Sequence, residues 1–351
     1  MRKPEYYTKK LFFGLLKLIS GKSGKSRTQP SFGERRNILL IRLNNIGDAL
    51  VTTPFIEQLK NKIDCEIDVL CHRRNSVVFE NNKSVNNIFI LNKGFFNFFR
   101  TLFRARRKKY YCIVDTHNDI SATVNLFLLL LKSEYRFGFR KEENNLYSGV
   151  IEKPDSSKTH VAEQILQLLK LFGVEPDLKT VRIVYDYTNK SSEFAADYLR
   201  RNFPEKKFVI GINLFAGSLA RYWGTENFLG LLNFLETYPV NVILIAPGKL
   251  PADIGELAGK APVFRNDFDK LAALISKLDL LVTPDTSVIH LASAYRIPVF
   301  GLYVHFNTDE MIWKPYNSDF EFVLTKERTL DSIHYEEVER KLKIFLGEHL
   351  S

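Results

Sequence analysis

Only three cysteines occur among the 351 residues, Cys65, Cys71 and Cys112, and no C-x-x-C pair joins any two of them. An odd count without such spacing indicates neither a disulfide framework nor a zinc site. Long apolar runs are also missing. The longest, LFLLLL at 126–131, is far short of the about 20 residues needed to cross a bilayer. No G-x-G-x-x-G follows a predicted strand and no G-x-x-x-x-G-K-[ST] is present, so dinucleotide oxidoreductases and P-loop hydrolases lack their signature here. No internal repeat is evident. The N-terminus is basic and then apolar like a leader. Its apolar stretch is broken by Gly14 and Lys17, and no clean small-residue cleavage site follows, so it is expected to stay on the chain.

What is present is an uneven charge. Residues 1–180 carry 31 Lys and Arg against 18 Asp and Glu, a net of +13, whereas residues 181–351 carry 19 against 22. Residues 1–36 alone hold ten basic and two acidic side chains, and a second basic run, RTLFRARRKK, spans 100–109. One half is therefore a cation suited to an anionic partner, nucleic acid or anionic lipid. The stretch YYTKKLFFGLLKLIS favours lipid. At about 100° per residue, Leu11, Phe12, Leu15, Leu18 and Ile19 share one arc while Lys10, Gly14 and Lys17 fall opposite, the pattern of a helix lying in a membrane interface. The expectation is peripheral attachment through residues 1–36, a basic amphipathic segment and tether, with no nucleic-acid partner and a cytoplasmic location.

From Asn37 the chain alternates. NILLIR, EIDVLC, NIFIL and YYCIVD are continuous apolar strands separated by helical stretches at 49–60, 75–82, 94–108 and 119–132, and the piece 159–177 holds a further amphipathic helix closed by Gly173 and stopped by Pro176. The alternation pauses near 176–206 and restarts with KFVIGINL. It then continues through helix 225–238, VNVILIA, helix 267–277, LLVT, helix 286–295 and IPVFGLY, with a closing helix at 331–347 expected to brace the first domain. Continuous apolar strands between helices argue for parallel sheets covered on both faces. The expected fold is α/β, two facing Rossmann-like domains with parallel sheets, residues 37–180 and 181–351.

Three loops carry candidate chemistry. In LNNIGDALVTTP, Gly47 permits a tight turn and Asp48, following a buried strand, serves either as a helix cap or as a general base. In AGSLARYW at 216–223, the amides of Ala216, Gly217 and Ser218 follow a strand and Arg221 supplies a fixed charge suited to phosphate oxygens. In PDTSVIH, Thr286 and Ser287 open a helix whose N-terminal amides and dipole favour a phosphate. His290 lies one turn on, either as a phosphate donor or as a packed core residue. The D-x-D pair Asp267 and Asp269 stands just ahead of an apolar helix, where it reads as a cap.

Taken in order and spacing, these loops resemble the heptosyltransferases, glycosyltransferase family nine. The family's R-x-S-x-x-G-D and T-x-P are met by Arg42, Gly47, Asp48, Thr53 and Pro54, with Asn44 in place of Ser. Its D-T-G-x-x-H-x-A-x-A is met by Asp285, Thr286, His290, Ala292 and Ala294, with Ser287 in place of Gly. Its G-A-x-x-x-K-x-W-P is recognisable from Ala216 to Trp223, with Arg221 at the Lys position and Gly224 at the Pro position. His160 also has a counterpart, and Lys249 stands where the family has a ribose-holding Glu.

The resemblance implies a GT-B architecture and an inverting, metal-independent transfer with no cofactor. A sugar would pass from a nucleotide donor, most often ADP-heptose, to an anionic lipid-linked saccharide such as Kdo-lipid A or the lipopolysaccharide core. Asp48 would be the base. Ser218, Arg221, Thr286, Ser287 and His290 would hold the donor phosphates, and Asn44, Gly47, Gly217 and Asp285 would line the cleft. A different sugar on a surface polysaccharide or glycoprotein, or nucleotide-sugar binding without catalysis, are the alternatives.

Overall fold

The computed structural model describes residues 36–141, 144–214, 216–246 and 254–350. The amphipathic stretch near the N-terminus and Lys249 lie outside the described residues. The chain divides into two compact units, one ending at Val181 and the other running from Arg182.

The first unit is built on a six-stranded parallel sheet. In chain order its strands are β1 (Arg36–Arg42), β2 (Cys65–His72), β3 (Asn87–Leu91), β4 (Tyr110–Asp115), β5 (Ser133–Phe139) and β6 (Gly149–Ile151). Their order across the sheet is β3-β2-β1-β4-β5-β6, with every pairing parallel. The second unit repeats the plan with β7 (Phe208–Asn213), β8 (Val240–Ile245), β9 (Val263–Phe264), β10 (Leu280–Pro284), β11 (Val299–Val304) and β12 (Phe320–Thr325). Its order, β12-β11-β10-β7-β8-β9, is the same winding and again all parallel.

Both are doubly wound sheets whose order reverses at one point, beside β1/β4 in the first unit and β7/β10 in the second. Ligands of such sheets sit beyond the carboxyl ends of the strands at that reversal. The central strands are buried along most of their length, β10 with no exposed residue and β1 from Ile38 onward. Those continuous apolar runs suit a sheet covered on both faces.

Several elements differ from the sequence expectation. The helix expected at 49–60 is two helices, Ile46–Leu50 and Thr53–Lys62, because Pro54 suits the first turn of a new helix better than the interior of a long one. The stretch 75–82 contributes only the single turn Val77–Glu80. The helix expected from 159 ends at Gly173 as its sequence implies, but it is α-helical only from Val161 to Leu166 and then tightens to a 3-10 helix through Phe172. Gly173 ends it in the left-handed region at φ 71°. The closing helix, Tyr335–His349, places Val338, Leu342, Phe345 and Leu346 in the second unit's own core beside Trp223, Phe228 and Leu231.

Candidate active site

At the first reversal, the loop leaving β1 is tied down by one buried side chain. Arg42, the last residue of β1, donates from Nε to the Asp48 carbonyl at 2.9 Å and from Nη1 to the Thr116 carbonyl at 2.8 Å. Its Nη2 meets Asp48 Oδ1 at 3.2 Å. Burial lowers the Arg42 pKa from the ordinary guanidinium value, while Asp48 and Asp115 act to raise it. The other carboxylate oxygen, Oδ2, accepts from the Asn45 amide at 3.1 Å. The Asp48 side chain is thus fixed in rotamer by a cation on one oxygen and an amide on the other.

The structure narrows the readings of this loop. Asp48 is not the N-cap: Asn45 is, and Asp48 sits at the third helical position, reaching back to the cap amide. Gly47 forms no left-handed turn; it lies buried inside the short helix, outside the positive-φ glycines of the described chain. Asn44 is exposed in the loop.

A second cluster, unforeseen in the sequence, buttresses this loop from β4. The buried Asp115 carboxylate accepts from His117 Nδ1 at 2.6 Å through Oδ1, and from Lys141 Nζ at 2.5 Å and the Tyr147 hydroxyl at 2.6 Å through Oδ2. Burial alone would raise the Asp115 pKa, but His117 and Lys141 outweigh it and hold the carboxyl well below the usual carboxylate range. His117 Nε2 in turn accepts from the Leu43 amide at 3.0 Å. Asn75 adds a further tie, donating to the Arg42 carbonyl at 2.9 Å. His160 is the N-cap of the Val161–Leu166 helix, its Nδ1 accepting from the Ala162 amide at 3.2 Å.

At the second reversal the structure brings the two remaining motif loops together. Arg221 Nη1 donates to the Asp285 carbonyl at 2.7 Å and pairs with Asp285 Oδ2 at 3.1 Å, joining the loop after β7 to the loop after β10. The side chains are 42% and 28% exposed, so the pair is anchored without being sealed. Burial raises the Asp285 pKa and the Arg221 charge pulls it back. The Arg221 amide donates to the Ser218 carbonyl at 3.1 Å, and Gly217 holds φ 73°, a conformation glycine adopts without steric cost. Ser218 is exposed beside it.

Thr286 caps the helix Ser287–Tyr295: its Oγ1 accepts from the Val288 amide at 3.1 Å and its carbonyl accepts from the Ile289 amide at 3.1 Å. The Ser287 amide has no acceptor within its own helix, as expected of a first helical position. His290 is buried in the second turn, its ring 5.9 Å from that of Trp313.

Trp223 anchors the Arg221 loop from behind. It is fully buried, donates from Nε1 to the Ile333 carbonyl at 3.0 Å and stacks on Tyr335. Gly224 follows at φ 103°, a backbone that a proline ring, locked near φ −65°, cannot take. The D-x-D pair is structural. Asp267 caps the helix Phe268–Ile275, and Asp269 accepts from the Tyr185 hydroxyl, Thr188 Oγ1 and Ser191 Oγ, fastening segment 185–191. Among the described residues, no group of three or more His, Cys, Asp or Glu is arranged to hold a metal ion.

Comparison with known proteins gives one consistent answer. The model of glycosyltransferase family 9 (heptosyltransferase) matches residues 98–343. Lipopolysaccharide heptosyltransferase 3 of Escherichia coli is 25% identical over 308 residues, covering 78% of this chain and 83% of the relative. The structure of a family 9 glycosyl transferase from Veillonella parvula superposes with a TM-score of 0.77 at 17% identity, over 89% of this chain and 98% of that one. The E. coli heptosyltransferase WaaC, solved with ADP, gives a TM-score of 0.69 at 15% identity, over 89% and 99% of the two chains. The fold class is α/β, GT-B, with a parallel Rossmann-like sheet in each unit.

Proposed function

Because the chain belongs to glycosyltransferase family 9, the heptosyltransferases, and is a glycosyltransferase by that membership, we propose that it moves a heptose from ADP-heptose to a lipopolysaccharide core acceptor, with inversion and without a metal. The observation that carries this reading is the Arg221–Asp285 contact, which sets a half-exposed guanidinium beside the N-terminus of the Ser287–Tyr295 helix. A cation next to a helix N-terminus, where the Ser287 amide has no acceptor within its own helix, is an anion site made from protein alone, suited to a diphosphate. ADP as the nucleotide is supported by WaaC, which is solved with ADP. The core acceptor is supported by the relative named as a lipopolysaccharide heptosyltransferase.

In this reading the acceptor hydroxyl attacks the anomeric carbon while Asp48 takes its proton. The bond from that carbon to the donor diphosphate breaks, and its electron pair leaves with the nucleoside diphosphate. Arg221, the Thr286 and Ser287 amides, Ser218 and His290 stabilise the growing charge. The Arg42 and Asn45 contacts hold Asp48 in a single rotamer, which favours proton transfer over a restricted range of acceptor positions. The anionic, lipid-linked acceptor suits the +13 half of the chain, and the enzyme so read works on the inner face of the cytoplasmic membrane.

The test is release of ADP, UDP or GDP from a panel of nucleotide sugars in the presence of Kdo-lipid A or core oligosaccharide. ADP release that depends on both ADP-heptose and the acceptor is the expected result. Turnover of another donor would favour the second reading, a different sugar, to which Ser287 in the family's glycine position already points. No acceptor-dependent release from any donor would reject catalysis.

A further inference from the structure

The helix Phe95–Arg106 carries a surface that the transfer reaction does not use. Its inner face is ordinary core: Thr101, Leu102 and Ala105 are buried, and Phe98 packs on Phe127 with ring centroids 4.7 Å apart. Its outer face is the reverse of what solvent exposure selects. Phe95, Phe96 and Phe103 are 72%, 88% and 58% exposed, and Phe99 links them, its ring 4.6 Å from Phe95 and 6.3 Å from Phe103. On an ideal helix Phe95, Phe99, Phe103 and Phe96 fall within an arc of about 100°. Arg107, Arg100 and Arg104 occupy the arc of about 60° that follows, and all three are exposed. Residues 93–109 hold seven Lys and Arg and no Asp or Glu. Among the described residues, Lys108 alone of these seven is tied to a buried carboxylate, that of Asp68, at 2.9 Å.

We propose that the outer face of Phe95–Arg106 is a docking surface for an anionic lipid bilayer, the Phe rings entering the headgroup boundary and the Arg arc meeting lipid phosphates. A contiguous exposed aromatic patch on a folded domain marks an interaction site. An apolar stripe bordered by cations matches a membrane interface in both hydropathy and charge.

A second copy of the chain fits worse, because a two-fold contact through this stripe would press one arginine arc against another. Single-stranded nucleic acid fits worse too, because its bases stack in grooves lined with rings, whereas these rings stand on the convex outside of a helix. The surface lies outside residues 1–36 and adds a second attachment point to any that segment supplies. Its purpose, holding the enzyme where a lipid-linked acceptor resides, rests on the reading above; its existence does not.

The test is co-flotation of the full chain with acceptor-free phosphatidylcholine vesicles containing about a third phosphatidylglycerol, an anionic surface of the kind invoked. The triple variant Phe95→Ser, Phe96→Ser, Phe103→Ser is expected to bind about tenfold more weakly or worse, with unchanged circular dichroism. The triple variant Arg100→Ser, Arg104→Ser, Arg107→Ser should lose a similar factor at low salt. Both should retain wild-type transfer to a water-soluble acceptor fragment, which separates failure of this surface from failure of the proposed activity.

As a direct probe of insertion, the Phe96→Trp variant should show a blue-shifted indole emission that brominated lipid quenches. Wild-type flotation in the Phe triple variant would overturn the proposal, as would an indole emission in Phe96→Trp unmoved by vesicles that are bound. So would RNA binding lost in both triple variants without any vesicle binding.

Discussion

The two strand reversals share one topology and opposite chemistry. Beside β1 and β4 an anion, Asp48, is clamped by the buried cation Arg42; beside β7 and β10 a cation, Arg221, is held by the half-buried anion Asp285. In each case the more buried partner orients the more exposed one, so the same scaffold presents a fixed carboxylate in one unit and a fixed guanidinium in the other. The winding places both loops at strand reversals, and in the function proposed above the sign of one residue in each loop decides which half of the transfer it serves.

Substitutions can break that comparison, the largest effect coming from the carboxylate. Asp48→Asn keeps the shape but removes the base, and turnover is expected to fall about a thousandfold, within the range for loss of general base catalysis; steady-state nucleotide release measures it. Next is Asp115→Asn, which leaves Lys141 buried opposite a neutral amide. That should cost about 3 kcal/mol of stability, in line with other broken buried pairs, read from urea unfolding.

The same carboxylate gives a pH signature. Its folded pKa is depressed, so the stabilisation is fully present above about pH 4, the unfolded value, and is lost as the medium grows more acid. Acid unfolding of the wild type should therefore show a component that Asp115→Asn lacks. If the two profiles run parallel below about pH 4, the cluster is not the anchor described.

Arg221→Ala should lower turnover about a hundredfold, the usual loss for one charge-stabilising donor, and Arg221→Lys should restore part of it. The smallest effect is expected at Gly217, where an added Cβ would meet nothing within 4 Å. Gly217→Ala pays only for the left-handed backbone, about 1 kcal/mol, detectable as a small drop in melting temperature.

Much of this was legible in the sequence because parallel strands buried on both faces read as unbroken apolar runs. NIFIL and YYCIVD match β3 and β4 residue for residue. Four strands escaped: β5, SEYRFGF, is interrupted by Glu134 and Arg136, β12, FEFVLT, is broken by Glu321, and β6 and β9 have only three and two residues. The motif residues Asp48, Arg221 and Thr286 were visible because each follows a strand.

What the sequence did not reveal were the partners. Arg221 and Asp285 are 64 positions apart, and Lys141 reaches Asp115 and its neighbour His117 only through the β4–β5 pairing. A signal for the Asp115 cluster existed. IVDTH ends β4 with Asp115 and His117, as LLIRLNNIGD ends β1, and the same strand-end rule that singled out Asp48 applies to both.

The central claim is that the two reversals divide the work, and it is tested most directly by calorimetric titration of ADP into the wild type, Asp48→Asn and Arg221→Ala. The expected result is wild-type affinity in Asp48→Asn and about tenfold weaker binding in Arg221→Ala, the cost of one charge-assisted contact to phosphate. Weakened ADP binding in Asp48→Asn together with unchanged binding in Arg221→Ala would contradict it.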